Sequence, residues 1–254
     1  MNEVHISLIA ETLGHLGSFP ITNTLLMSLV STVVLIVAAV LLSRRMRSPT
    51  GSGTPRGLQN VTEVLIDGAL AMMDTVTGGR KQSLRFFPLV FTFFIFILVS
   101  NWLGLLPGIG PISLAVTANG HQVVTPLFRS TNADLNVTLA LAIISVIATQ
   151  IFGIIAISAA KYAKRFFNFK NPIFTFVGLI ELISELAKFI SFSFRLFGNV
   201  FAGEVLLVVI AFLVPVVIPL PFMFLEIFVG LIQAFIFAIL TLVFLKVATT
   251  EEAH

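Results

Sequence analysis

Six ionisable side chains stand in long apolar stretches of the C-terminal third: Glu181, Glu185, Lys188, Arg195, Glu204 and Glu226. Asn199 and Gln233 add uncharged polarity to the same stretches. A charge at the centre of a bilayer costs at least about 2.5–3.5 kcal/mol, so residues of this kind either pair with one another or serve an ion or proton path. Helical phase divides them. Glu181, Glu185, Lys188, Arg195 and Asn199 fall within about 80° of one another on a helix, as one polar stripe. Glu204 lies nine positions beyond Arg195, on the opposite face. Glu226 and Gln233 are seven residues apart and share a face of a second helix.

The chemistry open to each differs. Lys188 follows Glu181 and Glu185 by seven and three positions, so a structural pairing within the helix is feasible, as is a role in an ion path. Both readings stay open. Arg195 keeps its charge under all ordinary conditions. Glu185, the nearer acid, is ten residues back, about 15 Å along a helix. The counter-charge of Arg195 therefore has to come from another helix or another subunit. Glu204 and Glu226 read either as a hydrogen-bonded pair that holds two helices together or as a proton relay. Desolvation favours the neutral form of a carboxyl group, and such a group can load and release protons. Asn199 and Gln233 read as packing or orienting residues near the arginine. The four histidines, at 5, 15, 121 and 254, lie outside the apolar stretches and lack metal-ligand spacing, and there is no cysteine. No phosphate-binding GxxxxGK[ST] loop, HExxH or GxSxG pattern is present. We expect neither cofactor nor metal, and no bond-making chemistry in this chain.

The elements that hold these residues follow from composition. Of 254 residues, 57% are hydrophobic and 11% charged, against a usual charged share of about 25%. Mean hydropathy is +1.05. Such a chain cannot cover itself with a water-compatible surface. A net charge of +3 would invite a nucleic-acid partner in a soluble protein; here the placement of the charges carries more information than their sum, and membrane lipid, not nucleic acid, is the expected surrounding. About 20 apolar residues span a bilayer core. The sequence predicts an all-α polytopic membrane protein with five membrane-embedded helical elements. Residues 1–23 form an arm and 24–42 the first span. Residues 43–85 form a Pro/Gly/Ser linker and a short amphipathic interfacial helix, with Val61, Val64, Leu65 and Ala69 at helical spacing among Glu63, Asp67 and Asp74. Residues 86–160 hold the second and third spans around a loop at 107–134. Residues 161–254 hold a hairpin of 172–214 and 222–247, turned at Pro215, Pro219 and Pro221. The first member would be about 64 Å long, twice the hydrocarbon thickness, so the hairpin is either strongly tilted or broken, and a long tilted hairpin is the expectation. Eleven of the fifteen basic residues fall in 43–85 and 161–171: Arg44, Arg45, Arg47, Arg56, Arg80, Lys81, Arg85, Lys161, Lys164, Arg165 and Lys170. The 107–134 loop has Arg129 alone, and the arm has none. The positive-inside rule then places the N-terminus outside and the C-terminus inside. No inverted internal repeat is evident, which weighs against an independent proton-coupled secondary transporter. A purely structural assembly subunit is the other alternative.

The segment Ser193-Phe194-Arg195-Leu196-Phe197-Gly198-Asn199-Val200-Phe201-Ala202-Gly203-Glu204 resembles the signature of subunit a of the F-type ATP synthase. Gln233-Ala234-Phe235-Ile236-Phe237 resembles its companion on the last helix. Asn101-Trp102-Leu103-Gly104-Leu105-Leu106-Pro107 and Ala133-Asp134-Leu135-Asn136-Val137-Thr138 resemble two further family motifs. The similarity covers roughly residues 60–247. It implies a stator subunit beside a rotor ring of subunit c, with the peripheral-stalk subunit b and the remainder of the ATP synthase as partners. It further implies that Arg195 faces the ring carboxylate and separates two offset half-channels. Glu204 and its neighbour Glu226 would lie in the outside one, and Gln233 would face the arginine. Residues 161–254 would then be the ion-translocating part, in a bacterial plasma membrane or, as the lesser expectation, an organellar inner membrane.

Overall fold

The computed structural model describes residues 9–46, 57–106, 113–118, 121–166, 172–214 and 217–250. Arg47, Arg56, Pro107, Lys170, Pro215 and the histidines at 5 and 254 lie outside them. The described chain starts with a hairpin of β1 (Thr12–Leu16) and β2 (Phe19–Thr22), followed by α1 (Asn23–Met46), α2 (Leu58–Thr77) and α3 (Arg80–Gly104). A second hairpin, β3 (Ser113–Ala118) and β4 (His121–Pro126), precedes a short 3-10 turn at Thr131–Ala133. Helices α4 (Leu135–Ile157), α5 (Ala159–Phe166), α6 (Pro172–Leu213) and α7 (Pro219–Thr249) complete it. Helices α1, α3, α4, α6 and α7 are long and apolar enough to cross a membrane. This is a polytopic all-α membrane protein, as the sequence predicts.

Local chemistry explains where the helices depart from the expected spans. Helix α3 starts six residues before Phe86 and runs through Pro88, whose carbonyl accepts from the Thr92 hydroxyl at 2.6 Å. The expected third span, 135–160, breaks at Ser158, where φ is 82° and α4 gives way to α5. Helix α7 starts at Pro219, three residues before the expected 222, because a first helical turn has no use for the amide proton that proline lacks. Helix α2 ends on Gly78 at φ 79°, a left-handed cap whose N–H donates to the Asp74 carbonyl. The two strand pairs are additions to the sequence reading, which treats both segments as arm or loop. The dipeptide Asn119-Gly120, which lies outside the described residues, is a hairpin signal in the sequence for one of them.

Membrane helices gain little by hiding apolar surface from apolar lipid, so they are joined by close packing and by hydrogen bonds. Both are evident. The core lies where α3, α4, α6 and α7 meet, with Phe93, Ile97, Leu141, Ala142, Phe192, Leu196, Ala234 and Phe237 buried together. Phe237 touches the rings of Phe93 and Phe192. Hydroxyl pairs join α4 to its neighbours, Thr138 to Ser193 at 3.1 Å and Ser145 to Thr241 at 2.9 Å. Helix α1 attaches through its N-terminal part, where Thr24, Met27 and Ser31 are buried and the Thr24 hydroxyl donates to Asp134 at 2.8 Å. On its other side, and towards its C-terminal end, Leu29, Val33, Ile36 and Leu41 are exposed. Val61, Val64 and Leu65 of α2 are exposed too, while Leu70 and Met73 pack inward. The apolar stripe that marks α2 in the sequence is its outward face.

Candidate functional site

The local sequence of α6 places its polar residues on two sides. Phe192, Ser193 and Leu196 turn into the core, whereas Ser191, Arg195 and Asn199 are exposed. The Arg195 guanidinium donates to the Ser191 hydroxyl at 3.1 Å, and no carboxylate among the described residues forms an ion pair with it. A permanent cation thus stands on an outer helix face among exposed apolar residues such as Phe194 and Leu206. Gln233 is on the buried side of α7, 8% exposed, and makes no hydrogen bond to Arg195.

Two turns before the arginine the charges are matched. Lys188 Nζ donates to Glu185 at 2.6 Å and lies 4.6 Å from the centre of the Phe244 ring. The other Glu185 oxygen accepts from Gln150 at 3.1 Å, and Gln150 accepts from the Tyr162 hydroxyl at 2.6 Å. This chain of contacts ties α6 to α4 and α5. Glu181 is half-buried one turn earlier.

Glu204 is on the other side of α6. The Nε–H of Arg129 is shared between its two carboxylate oxygens, at 3.0 and 3.2 Å. Arg129 comes from the segment between β4 and the 3-10 turn, and its side chain is only 7% exposed. Both line a cavity of about 310 Å³, together with Glu226 from α7 and Asn101 from α3. Glu226 enters because residue 203 is glycine: a methyl group there would overlap its carboxyl group. The walls are fixed by hydrogen bonds to main-chain carbonyls of α7. Asn101 Nδ2 donates to the Gly230 carbonyl at 3.1 Å and Trp102 Nε1 to the Ile227 carbonyl at 3.1 Å. Asn132 Nδ2 donates to Asn101 Oδ1 at 2.8 Å. Asp134 caps α4 by accepting from the Asn136 amide at 2.9 Å.

A family model described as the ATP synthase A chain matches residues 25–246. The chain belongs to that family. The ATP synthase subunit a of Campylobacter jejuni subsp. jejuni serotype O:23/36 is 38% identical to it over 226 residues, 87% of this chain and 88% of the relative. That of Syntrophobacter fumaroxidans is 38% identical over 204 residues, 79% and 74% of the two chains. That of Moorella thermoacetica is 32% identical over 231 residues, 91% and 92% of the two chains.

In this ATP synthase A chain the sequence-predicted residues fall into three places. Arg195 and Asn199 share the outer face of α6, Glu185 and Lys188 form an ion pair further back, and Glu204 and Glu226 meet at the cavity. Gln233 is buried in α7 and is not among the residues that line the cavity. Sequence reasoning missed Arg129 as a site residue. Its signal was its isolation as the single basic residue of the 107–134 segment. Asn101, Trp102 and Asp134 were visible as motif residues without a role. Their positions assign them one: Asn101 and Trp102 fix α3 to α7 beside the cavity, and Asp134 ties the start of α4 to α1.

Proposed function

We propose that this membrane subunit of the ATP synthase is the stationary side of its proton path, conducting protons through two offset half-channels to and from the carboxylates of a rotor ring of subunit c. The observation that carries this reading is Arg195, an exposed cation on an apolar helix face with no carboxylate partner among the described residues. A charge so placed calls for a counter-charge from another chain. A ring carboxylate arriving beside Arg195 is held there as an anion and gives up its proton to the inside path. Once past the arginine, it takes a proton from the outside path at Glu204 and Glu226 and re-enters lipid neutral.

The fixed charge between the two paths blocks a direct leak, since a proton crossing there meets a cation. The membrane potential contributes about 2.3 kcal/mol per 100 mV for each proton that completes the passage. Asn199 lies one turn from Arg195 on the same face, suited to orienting the ring carboxylate, and the buried Gln233 supports the packing behind it. Bond-making belongs to another part of the complex, held in place by the stalk subunit b. The distribution of basic residues supports an N-terminus outside and a C-terminus inside, and the bacterial relatives support a bacterial plasma membrane.

The test is Arg195→Ala in the complete complex. ATP synthesis driven by a proton gradient should be lost while the chain still assembles. Parental synthesis in that variant would overturn the reading.

A further inference from the structure

Arg129, Glu204 and Glu226 meet at one cavity, but they are held differently. Arg129 is fixed on several sides. Its Nε–H is shared by both oxygens of Glu204, its Nη1 donates to the Ile9 carbonyl at 3.3 Å, and its Cζ lies 5.8 Å from the centre of the Phe201 ring. Glu204 is thus one half of an ion pair whose other half is nearly buried. Glu226 makes no hydrogen bond or ion pair with the described residues, and its carboxyl group lies against the backbone of Gly203. The charged groups around it are Glu204 from α6, Arg129 from the loop and, beyond these, Glu11 of the arm within electrostatic reach of Glu204. Helix α3 offers only the neutral Asn101 to the cavity, and Asp134 is taken by Thr24 and Asn136.

We propose that the two carboxyl groups divide the work: Arg129 is a positioning residue that holds Glu204 as a fixed anion, and Glu226 alone loads and unloads the proton. Cavity water gives a proton to the Glu226 carboxylate, and the Glu226 carboxyl then gives it to the ring carboxylate, which restores the Glu226 anion. Glu204 changes neither charge nor partner in this cycle. Its negative charge offsets Arg129, whose field would otherwise bind the Glu226 anion and keep it from taking up a proton. The inference rests on the proton path proposed above.

The experiment measures ATP-driven proton pumping by the complete complex in membrane vesicles, normalised to the amount of assembled subunit. Glu226→Gln should lower pumping by at least roughly tenfold, because an amide cannot carry the proton. Glu204→Gln and Arg129→Gln, which each leave one charge of the pair uncompensated, should each lower it by roughly three- to tenfold. The double variant should pump at least about threefold faster than Glu204→Gln alone, because it restores charge balance around Glu226. Arg129→Lys keeps the charge and should fall between the parent and Arg129→Gln, which covers the case in which Arg129→Gln does not assemble. A double variant no better than Glu204→Gln, or parental pumping in Glu226→Gln, would overturn the division of roles. Failure of the underlying proton path would show instead as parental pumping in Arg195→Ala.

Discussion

The carboxyl group of Glu226 on α7 lies against the backbone of Gly203 on α6, in the space that any side chain at position 203 would fill. Two helices thus meet at a glycine next to the second acid of the cavity, Glu204. Substituting Gly203→Ala forces the Glu226 carboxyl group to swing away, which a flexible side chain does at small cost to stability. The variant should assemble like the parent yet transfer protons roughly tenfold more slowly, because a proton donor displaced by about 1 Å loses much of its rate. Proton pumping per assembled complex checks this; parental pumping would show that the position of Glu226 is unimportant.

Asn101 is the centre of a three-residue relay, donating to the Gly230 carbonyl and accepting from Asn132. Asn101→Ala leaves the buried amide of Asn132 without its acceptor, costing about 1–3 kcal/mol, and removes the tie to the Gly230 carbonyl. The thermal midpoint of the detergent-purified complex should fall, and the subunit should be recovered in lower yield. An unchanged midpoint would contradict the assigned role.

Asp134 serves two helices at once, capping α4 through Asn136 and accepting from Thr24 of α1. Asp134→Ala should cost about 1–2 kcal/mol from the lost cap, plus the α1 contact. Asp134→Asn keeps an oxygen for the cap and should cost less. Urea or thermal unfolding of the two variants side by side checks the order, and equal losses would show that the cap contributes nothing.

Lys188 and Glu185 are paired with each other and backed by Gln150, which favours a structural part for both. Lys188→Met should destabilise by roughly 1–3 kcal/mol while proton pumping per assembled complex stays within about twofold of the parent. A larger drop in pumping would place the pair on the inside path instead.

The spans were legible because a bilayer demands about 20 apolar residues and punishes charge, so Arg195, Glu204 and Glu226 stood out by type alone. Helical phase also put Arg195 and Glu204 on opposite sides of α6, and the structure has one outward and the other at the cavity. What the sequence hid depends on distant contacts. Arg129 is 75 residues from Glu204 along the chain, and no local period links them. The contact between Gly203 and Glu226 depends on the packing of α6 against α7, which neither segment encodes alone. The break at Ser158 was hidden for another reason: apolar residues continue on both sides, and serine seldom adopts the positive φ that it has here.

The claim that a ring passes over the outward face of α6 can be tested by proximity, because the chain has no cysteine of its own. Asn199→Cys places a thiol one turn from Arg195, to be oxidised in the complete complex against a cysteine introduced beside the ring carboxylate. A disulfide forms only where the two Cα atoms come within about 7 Å. We predict a disulfide between this subunit and the ring for Asn199→Cys, and none for a control, Ile36→Cys on the exposed side of α1. Failure to cross-link from position 199 while position 36 does cross-link would place the ring on another face and contradict the account.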